Sequence, residues 1–198
     1  MTSDYPESIH EAAAKAYDKP STFMNLLIDY WADDYREKHI RSADIVIYEH
    51  GMFNYLFDLH QQKLDHLPEH NCLPVCARLI AAIGKSNPTG RKRDDSRLRG
   101  LPVGGTFDGH TLWDKGHFIA NSIGGVVDGN EMNVFLQRRS VNRGGYRKME
   151  NYCIRNPGTI CFSRPLYSDS TAHPQYVEFG IVRPDGNLHV ELFPNRIH

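Results

Sequence analysis

Apolar residues recur three and four positions apart at Phe23, Leu26, Leu27, Tyr30 and Trp31, the spacing of one helical face, and Asp33 to Lys38 continue the stretch as its wetted end. Ser21 stands where a hydroxyl would cap that helix. Ala43 to Leu64 predicts a second helix with Ile45, Ile47, Phe53, Leu56 and Phe57 as its buried stripe, or two shorter helices divided at Gly51. Val75 to Ile83 is an apolar run between Pro74 and Gly84, and periodicity does not separate a buried strand from a short helix there. Thr159 to Leu166 alternates like a strand. Tyr176 to Val182 and Leu188 to Phe193 flank Pro184-Asp185-Gly186-Asn187, a turn sequence that predicts a hairpin. A strongly polar helix is expected from Val141 or Asn142 to about Tyr152. The pattern is helical in the first half and mostly strands around one helix in the second, an α+β chain.

Between these halves the composition changes abruptly. Lys85, Arg91, Lys92, Arg93, Arg97 and Arg99 are interleaved with Ser, Asn, Pro, Gly and Asp, and Gly104-Gly105 and Gly124-Gly125 mark two bends further on. Such a segment is either a solvated loop or a basic arm for a phosphate backbone. The net charge of -1 over 198 residues conceals a split. Residues 1–90 hold eight Lys and Arg against 13 Asp and Glu, while 91–198 hold 15 against 11. A polyanion partner is therefore expected on the second half.

A hydrophobic content of 40% supports a packed core, and no apolar run approaches the roughly 18 residues of a membrane span. The N-terminus, with Asp4, Glu7 and Glu11, lacks the shape of a secretory signal. Four cysteines are too few for a disulfide scaffold in a chain of this length. Cys72 and Cys76 lie near His66 and His70, which allows either a zinc site or two cysteines on one helical core face.

Two clusters carry candidate chemistry. The first is Trp113-Asp114-Lys115-Gly116-His117-Phe118-Ile119-Ala120-Asn121, a histidine with an acid and a cation just upstream; His110 is a rival base seven residues earlier. The second is Asn133-Val134-Phe135-Leu136-Gln137, then Val141-Asn142-Arg143-Gly144-Gly145-Tyr146-Arg147-Lys148-Met149-Glu150. On one helix, Asn142 and Glu150 would be separated by about 12 Å of rise and about 80° of rotation. A single ion would then bind the amide oxygen directly and reach the carboxylate through a water. An exposed helix with Arg147 and Glu150 as a solvated pair is the plainer account.

Asp114, Lys115, Gly116 and His117, followed in register by Asn133, Gln137, Asn142, Tyr146 and Glu150, resemble the signature of the DNA/RNA non-specific endonucleases, the ββα-metal nucleases. The resemblance covers about residues 89–195. It implies a ββα-metal nuclease core with an antiparallel sheet over 85–198, preceded by a helical N-terminal region over 1–84. It further implies His117 as general base, Asn142 as the direct ligand of one Mg2+ or Mn2+, and Glu150 holding a metal-bound water, with Lys115 and Asp114 completing the catalytic set. Products would carry 5′-phosphate ends. Lys115 replaces the usual Arg and loses its bidentate fork. Phe135-Leu136 and Tyr146 replace the usual Thr-Pro and Trp. Arg138, Arg139, Arg143 and Arg147 are candidates for phosphate contacts.

The expected partner is DNA, RNA or both, with an inhibitor or immunity protein as a further candidate and no membrane. A nuclease without a signal would endanger its own cell, which points to export by a dedicated secretion system as a toxin, a bound inhibitor, or confinement to an organelle. A site- or structure-specific nuclease, and an inactive nucleic-acid-binding protein on the same fold, are the alternative functions.

Overall fold

The structure, a computed structural model, describes residues 5–39, 43–59, 78–88, 106–107, 110–125, 133–169 and 173–196. Its centre is a six-stranded sheet made of β1 (Ile45–His50), β2 (Phe53–Asp58), β3 (Arg78–Lys85), β8 (Ile160–Leu166), β9 (Tyr176–Val182) and β10 (Leu188–Pro194). The strands lie in that spatial order, and every neighbouring pair is antiparallel. Two short ribbons complete the strands: β4 (Thr106–Phe107) with β5 (His110–Thr111), and β6 (Trp113–His117) with β7 (Val134–Arg138). The whole is α+β.

Both faces of the sheet are covered. On one lie α1 (Glu7–Ala13) and α2 (Pro20–Lys38), whose Ile9, Phe23, Leu27 and Trp31 pack against Leu56, Ile80, Ile160 and Phe162. On the other, Phe53, Tyr55, Phe57 and Phe179 pack against Phe118 and Phe135 of the β6–β7 region and against α4 (Gly145–Arg155) through Tyr146 and Met149. A polar network crosses the first interface. Trp31 Nε1 donates to the Tyr5 hydroxyl at 3.1 Å, which donates to Glu178 Oε2 at 2.7 Å, and Arg164 pairs with both Glu178 and Asp34. Asn195 anchors the ribbon to the end of β10: its Oδ1 accepts from the Arg138 amide at 2.8 Å and its Nδ2 donates to the Leu136 carbonyl at 2.8 Å.

Several expectations are corrected. Residues 45–58 form a hairpin, not a helix: His50 pairs with Phe53 around a two-residue turn, and Gly51 takes φ 59 there, a conformation open to glycine. Because the sheet is buried on both faces, β2 is buried at five of its six positions and shows no two-residue alternation, which mimics a buried helix in sequence. The described part of the run at 75–83 belongs to the strand β3, buried along nearly all its length, and residues 75–77 lie outside the described residues. No side chain caps α2; Pro20 opens it at the first turn, where a missing N–H costs nothing. The division at residues 84 and 85 falls inside β3, which hydrogen-bonds β8, so both halves of the chain build one sheet. The polar helix is two elements, α3 (Arg139–Asn142) and α4, separated at Arg143-Gly144.

The hairpin at 184–187 forms as expected, with Gly186 at φ 80 and its amide donating to the Arg183 carbonyl at 2.8 Å. The cysteines and histidines at 66–76, the arm beyond residue 88 and Gly104-Gly105 lie outside the described residues. Among the described residues, no helix is long and apolar enough to cross a membrane.

Candidate active site

The β6–β7 ribbon sets Asp114 opposite Gln137, Gly116 opposite Phe135 and His117 opposite Val134. Gln137, fully buried, lies over Gly116; a Cβ at position 116 would stand 2.2 Å from Gln137 Oε1 and 2.5 Å from its Cβ. The glycine before the histidine is therefore a requirement of packing.

Beyond His117 the chain bends through Phe118–Ala120 into a short 3-10 turn, Asn121–Ile123. Asn133 holds that bend. Its carbonyl accepts from the Phe118 amide at 2.9 Å, its Oδ1 accepts from the Ile119 amide at 2.9 Å, and its Nδ2 donates to the Ile119 carbonyl at 2.6 Å. The Tyr146 hydroxyl lies 2.7 Å from the Phe118 carbonyl, to which it donates, and 2.8 Å from Ser163 Oγ. Burial, against the Ser163 hydroxyl bond, pushes the Tyr146 phenol well up, so it stays protonated as a donor. Asn133, Gln137 and Tyr146 thus support His117 from beneath.

On the other side, the amide of Arg139 donates to the Leu112 carbonyl at 2.9 Å and starts α3 beside β6. Asp114 gathers three side chains from this corner: Arg139 Nε at 2.9 Å, Asn142 Nδ2 at 3.1 Å, and Arg143 through Nε at 2.9 Å and Nη2 at 3.2 Å. Partial burial alone would raise the Asp114 pKa. The hydrogen bonds from Arg143, Asn142 and Arg139 outweigh it, and the carboxyl is held below the usual range.

These elements enclose a cavity of about 550 Å³ lined by Lys115, His117, Ala120, Asn121, Ser122, Asn142, Arg143 and Arg147. Three of the lining residues are cations and none is a carboxylate, which suits an anionic ligand. Glu150 is buried behind the wall and pairs with Arg147 at 3.3 Å. Asp114 likewise stays behind the lining. Arg138 and Arg139 do not line the cavity, whereas Arg143 and Arg147 do. Asn121 and Ser122 were not singled out by sequence reasoning; Asn121 ends the His117 segment and carried no separate signal. His110 is described in its backbone only, within β5.

Among the described residues, no three His, Cys, Asp or Glu side chains converge as a metal-binding group. Asn121, Ser122 and Asn142 bring neutral oxygen donors to the cavity, and Asn142 is the one held by a charged partner. Its amide nitrogen is engaged by Asp114, which leaves Oδ1 as the atom for a cation.

No protein-family profile and no curated protein matches the chain. Among solved structures it is similar to the Sda1 nuclease with bound zinc ion, at 18% identity and a TM-score of 0.40, over 78% of this chain and 74% of that one.

Proposed function

We propose that the protein is a metal-dependent endonuclease that hydrolyses phosphodiester bonds of DNA, RNA or both. The observation that carries this reading is a single cavity on which an imidazole (His117), an amide (Asn142) and three cations (Lys115, Arg143, Arg147) all open. Lys115 and Arg147 bind the phosphodiester and set the phosphorus before the imidazole. Neutral His117 takes a proton from the attacking water, a transfer suited to a group whose ordinary pKa lies near 6.5. Asn142 Oδ1 would hold a divalent cation, which would supply positive charge against the charge developing at the phosphate. Glu150 fixes Arg147, whose guanidinium opens on the cavity, and a water held by its carboxylate follows the resemblance to DNA/RNA non-specific endonucleases. The choice of Mg2+ or Mn2+ and of 5′-phosphate products follows the resemblance to DNA/RNA non-specific endonucleases. Cations that contact only the backbone favour little sequence specificity.

The test compares wild type with His117→Ala on plasmid, single-stranded DNA and RNA, with magnesium and with a chelator. Cleavage by wild type in magnesium alone, falling by about 10²–10⁴-fold in the variant with nucleic-acid binding retained, is the expected result. Cleavage that survives the chelator, or survives loss of His117, overturns it.

A further inference from the structure

Asp114 sits beside the reacting groups and invites a role as base or metal ligand, yet its bonding leaves it no capacity for either. An ionised carboxylate offers about four acceptor positions. Here Oδ1 accepts from Arg139 Nε and Arg143 Nη2, and Oδ2 accepts from Asn142 Nδ2 and Arg143 Nε. Four donors fill the four positions. The group also stays behind the cavity lining. To take a proton or a cation it would first have to release α3.

We propose that Asp114 is a positioning residue that, by binding Asn142 Nδ2 on a carboxylate anchored by Arg139 and Arg143, locks the Asn142 amide with its oxygen toward the cavity. The inference rests on the nuclease reading for its purpose. An unrestrained Asn amide rotates about its last bond and presents nitrogen and oxygen almost interchangeably. A cation accepts only the oxygen, so a fixed donor on the nitrogen side selects the competent orientation before binding. The two arginines keep the carboxylate ionised and in place. Partners of this kind, bonded to a ligand and not to the metal, commonly change metal affinity or activity about 10–100-fold when removed.

The test uses the full chain with Asp114→Ala and Asp114→Asn and three readouts. The first is hydrogen exchange of the Asn142 side-chain amide followed by ¹⁵N NMR without metal. The second is Mn2+ binding by calorimetry, and the third is the division of any rate loss between kcat and KM. Asp114→Ala is expected to abolish protection of the Asn142 amide, to raise the Mn2+ Kd about 10–100-fold, and to lower kcat with KM changed less than about threefold. Asp114→Asn, which keeps shape and one acceptor oxygen, is expected between the two and guards against a misfolded alanine variant. Unchanged Asn142 exchange or unchanged Mn2+ affinity in both variants overturns the positioning role. A wild type that cleaves while Asn142 ignores Asp114 defeats this inference alone. A wild type that binds no Mn2+ and cleaves nothing defeats the nuclease reading, and the positioning role with it.

Discussion

The side chain of Gln137 fills the space in which any residue other than glycine at position 116 would carry its Cβ. The two residues sit on neighbouring strands of the ribbon that ends in His117, so crowding at this point is transmitted to the imidazole one residue away. Gly116→Ala is expected to cost about 1–3 kcal/mol of stability and to lower kcat. Gln137→Ala will not rescue it, because the Gln137 Cβ would itself lie 2.5 Å from the new methyl, whereas Gln137→Gly will rescue it in part. Thermal melts and turnover of the three variants check this.

Asn133 satisfies both backbone groups of Ile119 while 1% exposed. Asn133→Ala strands a buried N–H and a buried carbonyl, at a cost of about 2–4 kcal/mol. Urea midpoints should show that loss, and exchange of the Ile119 amide should accelerate beyond what global destabilisation explains. Cleavage should fall as well, since the bend it secures begins at His117.

Stability should decline as pH falls through the histidine range. Burial lowers the pKa of His173, and burial together with the Arg78 charge lowers that of His39. Below the ordinary value near 6.5 the unfolded chain binds protons that these folded histidines refuse, so stability rises with pH between the depressed values and about 6.5 and then levels. Urea denaturation at pH 5.5 and 7.5 should give the lower midpoint at pH 5.5, and His39→Gln should reduce the difference. An equal or higher midpoint at pH 5.5 would contradict this sign.

The N-terminal helices should not be dispensable. They cover Leu56, Ile80, Ile160 and Phe162, and Arg164 reaches from the sheet to Asp34 of α2 while also pairing with buried Glu178. Removing residues 1–39 is expected to yield insoluble chain. Arg164→Ala should cost about 3–5 kcal/mol in a single cooperative transition, because it leaves Glu178 buried without that cation. Two separate transitions in wild type would show instead that the helical layer melts on its own.

Legibility in the sequence followed the physics of each segment. Turn chemistry at Pro184–Asn187 and the 3-4 spacing of Phe23 to Trp31 each favour one structure, and both formed. Residues 45–58 do not read as strands in sequence, because Val46 and Phe57 turn to one buried face and Leu56 to the other, which erases the two-residue period. Gly51 held the better clue, as the head of a hairpin. At the site, the order of polar residues brought His117 and Asn142 to one cavity, but spacing alone does not reveal which positions react and which support. Only contacts distinguish Asn133, Gln137 and Tyr146, all buried beneath the bend, from Asn142 at the cavity. Arg139 is held at Asp114 and not on the cavity, an attraction between strand and helix that no linear pattern encodes.

The interruption at Arg143-Gly144 separates the anchoring of the amide from that of the carboxylate. Asn142 answers to β6 through Asp114, while Glu150 rides on α4, whose seating depends on Tyr146 and on Gly145 packed against Phe193. Had the chain continued as one rod, any tilt of α4 would swing both groups together. As built, the two are independently adjustable, so a substitution in the first turn repositions the amide without disturbing the packing that seats the carboxylate.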